Sequence, residues 1–323
     1  MAPLTVSAEP LVSVLMLTRN HAAYLQQAID SVRDQSCSRW QLLIGEDAST
    51  DATAAIAQAA AAADPLRIRL LSSPGGALGF HRNFERLLAA ANTPYVAFLE
   101  GDDWWCHRHK LALQLECLQR SPQLAFCGGR TRVQDERGTP SPYPAASVIG
   151  PASGVQQLSF DALIADYGFH FSSVVMRREL VEMPGWIYQQ YCLDRPLYLL
   201  AAAHGDAGAI DAELSVYRLH NGGVWAPLTP LQKARRSSAL FTAFCRAFDR
   251  HYRRRFRTTL SHILWSYLAE ALRAGERRQA FSILWLGIVA APRLRLLQQP
   301  RLSLGVLRRL AWPDHGSGEY ADG

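Results

Sequence analysis

The chain has 323 residues, 49% hydrophobic and 19% charged, enough apolar content for a sizeable core and too much for wholesale disorder. Its formal net charge of +6 is unevenly spread: residues 230–323 hold 17 Lys+Arg against 6 Asp+Glu, whereas residues 1–229 hold 17 against 22. A mean hydropathy of −0.06 is too low for a polytopic membrane protein, and 22 Gly with 17 Pro are ordinary counts that exclude collagen-like and low-complexity chains.

In chain order, Val12–Thr18 (VSVLMLT) is a short and almost unbroken apolar run, the pattern of a strand buried on both faces. Residues 22–35 follow with Leu25, Ile29 and Val32 at helical spacing. Gln41–Gly45 reads as a second strand, and Ser49, Thr50 and Asp51 offer caps for an alanine-rich helix over 52–63 that Pro65 ends. Ile68–Leu71 is a third strand, residues 80–91 a helix with Phe84, Leu87 and Leu88 inward, Tyr95–Leu99 a fourth strand, and residues 110–120 a further helix. Residues 139–151 read as a loop, Phe171–Met176 and Leu214–Leu219 as strands, and Asp194 opens a helix with Pro196 in its first turn. The alternation predicts an α/β fold with a mainly parallel twisted sheet flanked by helices, as residues 1–229, followed by a basic, amphipathic helical region over 230–323.

Targeting signals are not visible. The first ten residues lack a basic run, the apolar segment after them is too short for a signal peptide, and residues 283–291 fall well short of the ~20 apolar residues that span a bilayer. No two of the 6 cysteines are spaced as CxxC, so reduced thiols in a cytoplasmic protein are expected. The phosphate-binding GxxxxGK[ST] loop, the dinucleotide GxGxxG turn and the GxSxG nucleophile elbow do not occur.

In an open α/β sheet, ligands bind beyond the carboxyl ends of the strands, and here those ends carry Thr18, Glu46-Asp47 and Glu100-Gly101-Asp102-Asp103. Three carboxylates within four residues repel one another unless a cation sits among them, and hard oxygen ligands on a tight turn suit Mg²⁺ or Mn²⁺. Asp47 is equally well read as a ligand to a base or ribose and as part of a helix cap. His220 follows a strand and precedes Gly222-Gly223; by residue type alone it is a loop histidine before it is a metal ligand. Asp194 at a helix start is explained by the helix dipole alone unless an acceptor hydroxyl lies within its reach. Trp104, Trp105 and Trp225 suit sugar stacking and core packing alike.

Taken together these segments resemble a family 2 glycosyltransferase of GT-A fold. Residues 12–20 (VSVLMLTRN) are similar to the family's VSVIIPTYN, residues 45–53 to its VDDGSTDGT segment, residues 98–105 (FLEGDDWW) to its metal-binding DXD segment, residues 193–198 (LDRPLY) to GDWPLW, and residues 216–225 (VYRLHNGGVW) to VYRxHxGGVWS. The resemblance covers residues 12–225 and implies roles position by position. Thr18, Asn20, Asp47 and Arg82 would bind the nucleotide. Glu100 and Asp102 would hold ribose and metal, Asp102, Asp103 and His220 would ligate Mn²⁺ or Mg²⁺, and Asp194 would be the catalytic base. The implied reaction is transfer with inversion from a nucleotide-diphosphate sugar, UDP-sugars being favoured, to a glycan or polyprenyl-diphosphate-linked acceptor, in surface polysaccharide synthesis. A sugar nucleotidyltransferase would want a Gly-rich loop with following Arg and Lys after the first strand, where Leu17–His21 has none. A non-catalytic nucleotide- or glycan-binding scaffold would not need Asp102, Asp103 and Asp194, and all three are present.

The basic region lies outside that resemblance. Its arginines beside Trp and Leu suit a helix lying in an anionic bilayer interface, but a helical subdomain packing on the catalytic body, with its arginines solvated, has a slight edge for most of the region because the basic segment can also pair with the acidic body. No nucleic-acid-binding module is recognisable in it. The expected location is the cytoplasm, with the inner face of the membrane as the surface the tail would touch.

Overall fold

The computed structural model describes residues 9–73, 75–140, 154–165, 168–223, 225 and 227–290. The expected loop over 139–151 lies mostly outside the described residues, as does Arg308-Arg309. The chain forms two compact units, residues 1–221 and 222–323.

The first unit opens as β1 (Val12–Thr18), α1 (Leu25–Arg33), β2 (Trp40–Glu46), α2 (Thr53–Ala63), β3 (Ile68–Ser72), α3 (Phe80–Ala90) and β4 (Tyr95–Glu100). It continues with β5 (Trp104–Trp105), α4 (Lys110–Arg120), β6 (Leu124–Asp135), β7 (Val155–Leu158), α5 (Phe160–Ala165), β8 (Val175–Arg177), α6 (Asp194–Ala202) and β9 (Asp206–Leu219). Among the described residues nine strands form one sheet in the order β3-β2-β1-β4-β8-β6-β9-β5, with β7 also pairing to β9. β3, β2, β1 and β4 are mutually parallel, as the alternating pattern predicts; β8 then joins β4 and β6 antiparallel, and β6 runs parallel to β9.

β1 lies at the centre of the parallel part and is buried along its whole length. Its side chains alternate between two packed faces. Val12, Val14 and Met16 join Leu25, Ile29 and Val32 of α1 in the main core. The opposite face is closed by α3, whose Phe84 meets Phe98 of β4, and Phe98 stacks on Phe171 at 4.5 Å. Parallel register brings Thr18 beside Glu46, and Leu17 beside Glu100, so the polar ends of three strands meet along one edge.

Two segments differ from their expected form. Phe171–Ser173 is a 3₁₀ turn, with the strand starting only at Val175. Side chains take the backbone groups a ladder would use: Trp105 Nε1 donates to the Ser172 carbonyl (2.8 Å), Gln114 Nε2 donates to that of Ser173 (2.8 Å), and the ring of His170 caps the Ser172 N–H. β6, interrupted by Gly128-Gly129, and the first half of β9, rich in Ala and Gly, are not among the expected strands. The small residues are there for packing: Phe169 is fully buried against the backbone of β6, and a Cβ on Gly128 would lie 2.4 Å from its ring.

The second unit is helical: α7 (Pro230–Ala247), α8 (Arg253–Arg273) and α9 (Arg277–Ala290) pack pairwise. α7 starts with Pro at its first position and a reciprocal capping box between Thr229 and Gln232. Phe241, Phe244, Phe256, Leu264 and Ile283 form the interior. Among the described residues no helix is long and apolar enough to cross a membrane.

Gly128→Ala is expected to destabilise the first unit by about 1–3 kcal/mol, the cost of overpacking a filled core. Urea denaturation measures it, and an unshifted midpoint would mean that the Phe169 ring swings clear at no cost.

Candidate active site

The site is built around the turn after β4. Glu100 ends the strand, Gly101 and Asp102 turn the chain, and Asp103 leads into β5, which pairs antiparallel with β9 through Trp104–Val216 and Trp105–Ser215. Trp105 anchors the turn: its ring is buried, its backbone N–H donates to Ser31 Oγ (3.1 Å), and the Lys110 ammonium sits 4.3 Å above the ring centre. Gly101 is required by close approach, since a Cβ there would lie 2.6 Å from Thr18 Oγ1 and 2.9 Å from His21 Nδ1.

Each carboxylate has its own environment. Asp102 Oδ2 lies 3.0 Å from His220 Nε2 and 3.4 Å from His21 Nε2. Burial works against its charge, but the His220 hydrogen bond and the two imidazoles prevail and hold its carboxyl below the usual range. Asp103 is 1% exposed; its Oδ1 accepts from the Arg218 N–H (3.0 Å), while Oδ2 is buried with no hydrogen-bond partner, 3.6 Å from His170 Nδ1. Burial, then the charges of Asp102 and Glu100, push the Asp103 carboxyl well up. Glu100 is pushed up to about 8, first by burial and then by Asp102 and Asp194. His170, stacked on Tyr217, is lowered to about 4 by burial and is therefore a neutral imidazole at physiological pH. Arg218 closes the turn from behind: its Nε donates to the Asp102 carbonyl (3.0 Å), and its guanidinium lies between the rings of Trp104 (4.5 Å) and Tyr24 (4.6 Å).

These residues fit a divalent cation. One buried carboxylate oxygen is without a partner, and the ligand atoms of Glu100, Asp103 and His170 all lie within 4.8 Å of one another. The carboxylate oxygens suit Mg²⁺ or Mn²⁺. Of the expected ligands, Asp102 and His220 are brought together directly, whereas Asp103 faces Glu100 and His170. Sequence reasoning missed two histidines. His21 follows the end of β1 closely enough for the strand-end rule to have found it; His170 lies in an irregular segment with no such signal.

The expected nucleotide residues are distributed differently. Thr18 ends β1, and its buried Oγ1 has no hydrogen-bond partner. Asp47 accepts from the backbone N–H groups of Leu78 (2.6 Å) and Gly79 (2.9 Å), so its carboxylate holds the loop before α3. Asn20, at φ +56°, donates its N–H to Ser49 Oγ (3.0 Å) and accepts from the Thr50 N–H at Oδ1 (2.8 Å), latching the loops after β1 and β2 together. Arg82 is exposed on α3, 3.4 Å from Glu85 and stacked over Tyr188. The arginine that reaches the strand ends is Arg86, one turn on, which donates to the carbonyls of Ser72 and Glu46 and to Asn83 Oδ1.

Asp194 is the first residue of α6 and half-buried; its Oδ1 accepts from the Arg195 N–H (2.8 Å). Burial lifts its carboxyl to about 6, and its charge is among those that lift Glu100 and Tyr198. Asp194 therefore shares an electrostatic environment with the acidic turn, although 91 residues separate it from Asp103 in the chain. Trp105 serves the core and Trp104 cradles Arg218.

The mainly parallel sheet flanked by helices is the GT-A fold expected from the sequence. The chain is similar in fold to TarS of S. aureus, solved in complex with UDP-GlcNAc (TM-score 0.63, 14% identity, covering 87% of this chain and 81% of that one). The model of the family described as glycosyl transferase family 2 matches residues 13–182, more than half of the chain, and the chain belongs to that family. Among curated relatives, the uncharacterized protein Rv1520 of Mycobacterium tuberculosis is 32% identical over 216 residues, 66% of this chain and 60% of the relative. The putative teichuronic acid biosynthesis glycosyltransferase TuaG of Bacillus subtilis is 38% identical over 136 residues, 41% of this chain and 51% of the relative. WfgD of Escherichia coli, a UDP-Glc:alpha-D-GlcNAc-diphosphoundecaprenol beta-1,3-glucosyltransferase, is 27% identical over 173 residues, 53% of this chain and 62% of the relative. The chain thus spans about 60% or less of the length of the first relatives it matches.

The raised carboxyl of Glu100 gives a pH test. Its folded value, about 8, exceeds its ordinary 4.5, so the fold favours the protonated form; that contribution is full below about 4.5 and is lost as pH rises through about 8. In EDTA, the melting temperature should fall between neutral pH and pH 9, and Glu100→Gln should flatten that slope. An equal slope in the variant would assign the titration to another group.

Proposed function

We propose that this family 2 glycosyltransferase transfers a sugar, with inversion, from a nucleotide-diphosphate sugar to a hydroxyl of a glycan or polyprenyl-diphosphate-linked acceptor. The observation that carries the reading is Asp194: a half-buried carboxylate at a helix start, lifted to about 6 and electrostatically linked to the acidic turn. A base of that strength is largely ionised at neutral pH yet basic enough to take a proton in the transition state.

In the proposed reaction the acceptor oxygen bonds to the anomeric carbon while the bond from that carbon to the diphosphate oxygen breaks on the opposite face. Asp194 receives the hydroxyl proton, and the nucleoside diphosphate leaves with the bonding pair. Thr18 and the Asp47-anchored loop would bound the nucleoside, with Glu100 nearest the ribose. Asn20 would act by holding the loops rather than by touching ligand, and Arg82 would approach the nucleotide only from its exposed position on α3. Asp102 with His220, and Asp103 with His170 behind the turn, would hold Mn²⁺ or Mg²⁺. When bound, such a cation neutralises charge on the leaving diphosphate. A UDP-sugar donor is supported by the names of the TarS complex and WfgD. A lipid-linked acceptor is supported by WfgD, and a polysaccharide product by TuaG. The reading places the protein at the cytoplasmic face of a membrane, where such acceptors are built.

Asp194→Asn keeps the side-chain size and an amide oxygen that can accept from the Arg195 N–H. It is expected to lower kcat by about 10²–10⁴-fold while leaving nucleotide affinity nearly unchanged, because a general base acts mainly in the transition state. Wild-type kcat should fall on the acid side of about pH 6, as Asp194 takes up a proton before the acceptor arrives. Transfer assays against a panel of UDP-sugars with Mn²⁺ read both. Near wild-type turnover in the variant would move the base elsewhere, and Asp206 and Asp211 are the first candidates; Asp206 accepts from Gln157 and Asp211 pairs with Arg130.

A further inference from the structure

α9 is apolar around almost its whole circumference, and only one side of it is used by the helical unit. Ala280, Ile283 and Gly287 are buried. On the other side Phe281 is 63% exposed, Trp285 61%, Ile288 45% and Val289 61%. Their spacing of i, i+4, i+7 and i+8 puts them on one stripe of the helix. Arg277 and Arg278, one turn before Phe281 and both exposed, head the same stripe, and α9 contains no acidic residue. A helix with no polar face belongs to an interior, so the stripe calls for a cover.

We propose that this stripe of α9 docks on an anionic lipid bilayer, lying in the interface plane with Phe281, Trp285, Ile288 and Val289 among the acyl chains and Arg277 and Arg278 at the headgroups. Charge selects this occupant. Residues 222–290 carry 12 Lys+Arg and 3 Asp+Glu. A second copy would bring the same excess of positive charge to the contact, whereas an anionic surface attracts it. Trp and Phe beside Arg suit the boundary between headgroups and acyl chains. The helix is 14 residues and roughly 21 Å long, too short to span a bilayer and sufficient to lie on one. The inference rests on the surface of α9 alone and is read without catalysis, so its failure would leave the transferase reading untouched.

Co-sedimentation of the full chain with vesicles of phosphatidylcholine and phosphatidylglycerol tests it. The wild type is expected to bind these vesicles and to bind pure phosphatidylcholine at least about tenfold more weakly, with high salt weakening the anionic binding. Phe281→Ser with Trp285→Ser should cost at least about tenfold, and Arg277→Glu with Arg278→Glu a similar factor. The altered positions are exposed, and melting curves check that each variant is folded. Leu66→Ser, at a 93% exposed apolar residue of the other unit, should leave vesicle binding unchanged. The proposal is overturned if the wild type does not bind the anionic vesicles, if the stripe variants bind as the wild type does, or if Leu66→Ser loses as much as they do. It is also overturned if light scattering finds a wild-type dimer that the stripe variants disperse, since the cover would then be a second copy.

Discussion

The constraint on which the site depends is the mutual repulsion of Glu100, Asp102 and Asp103 in a partly buried turn. A buried carboxylate loses hydration, and a second negative charge a few ångströms away raises the cost further. The fold relieves this in two ways. Asp102 keeps its charge because two imidazoles face it. Glu100 is shifted up to about 8 and Asp103 is raised as well, so without a cation a proton at Glu100 carries part of the compensation. Arg218 works against the rise at Asp103 without overcoming it. It fixes the turn by its backbone N–H, its bond to the Asp102 carbonyl and its stacking between two rings. A divalent cation binding there would compete with that proton, coupling its affinity to pH.

The same constraint explains how the surroundings are built. Gly101 has no side chain because Thr18 and His21 press against it, and Trp105 is buried because a turn bearing three carboxylates needs an apolar anchor to stay in one geometry. Asp194 comes from a distant helix, yet its charge is felt at Glu100. In the proposed reaction the proton-accepting carboxylate and the diphosphate-facing turn therefore belong to one electrostatic unit. Neutralising the turn would leave Asp194 the principal negative charge facing the acceptor.

Much of this was legible in the sequence because the parallel strands are central. β1, β2 and β4 are buried on both faces, so they read as continuous apolar runs, and their polar ends mark the ligand edge. Asp102 stands out by its place after a buried strand, whereas His220 reads first as a loop histidine and Asp194 as a partner of the helix dipole, and it is the resemblance to the family that singles those two out. β6 and the first half of β9 were illegible for a physical reason: Gly128, Gly129 and Gly208 leave room for Phe169, Leu214 and Leu124 to lie on the backbone, and small residues at those points break the alternation that announces a strand. His170 was missed because the segment around it is held by side-chain hydrogen bonds, a tertiary effect without local signature. Arg86 and Arg82 are one helical turn apart, and only packing tells which of them reaches the strand ends.

The central claim, that the acidic turn exists to carry a divalent cation beneath a nucleotide diphosphate, is tested most directly by calorimetric titration of UDP into the protein with Mn²⁺ and with EDTA, for the wild type and Asp102→Asn. The account predicts that wild-type UDP affinity drops at least about tenfold in EDTA, and that the variant binds weakly in both buffers, since it has lost the charged ligand that His21 and His220 keep ionised. Equal UDP affinity with and without metal in the wild type would contradict it.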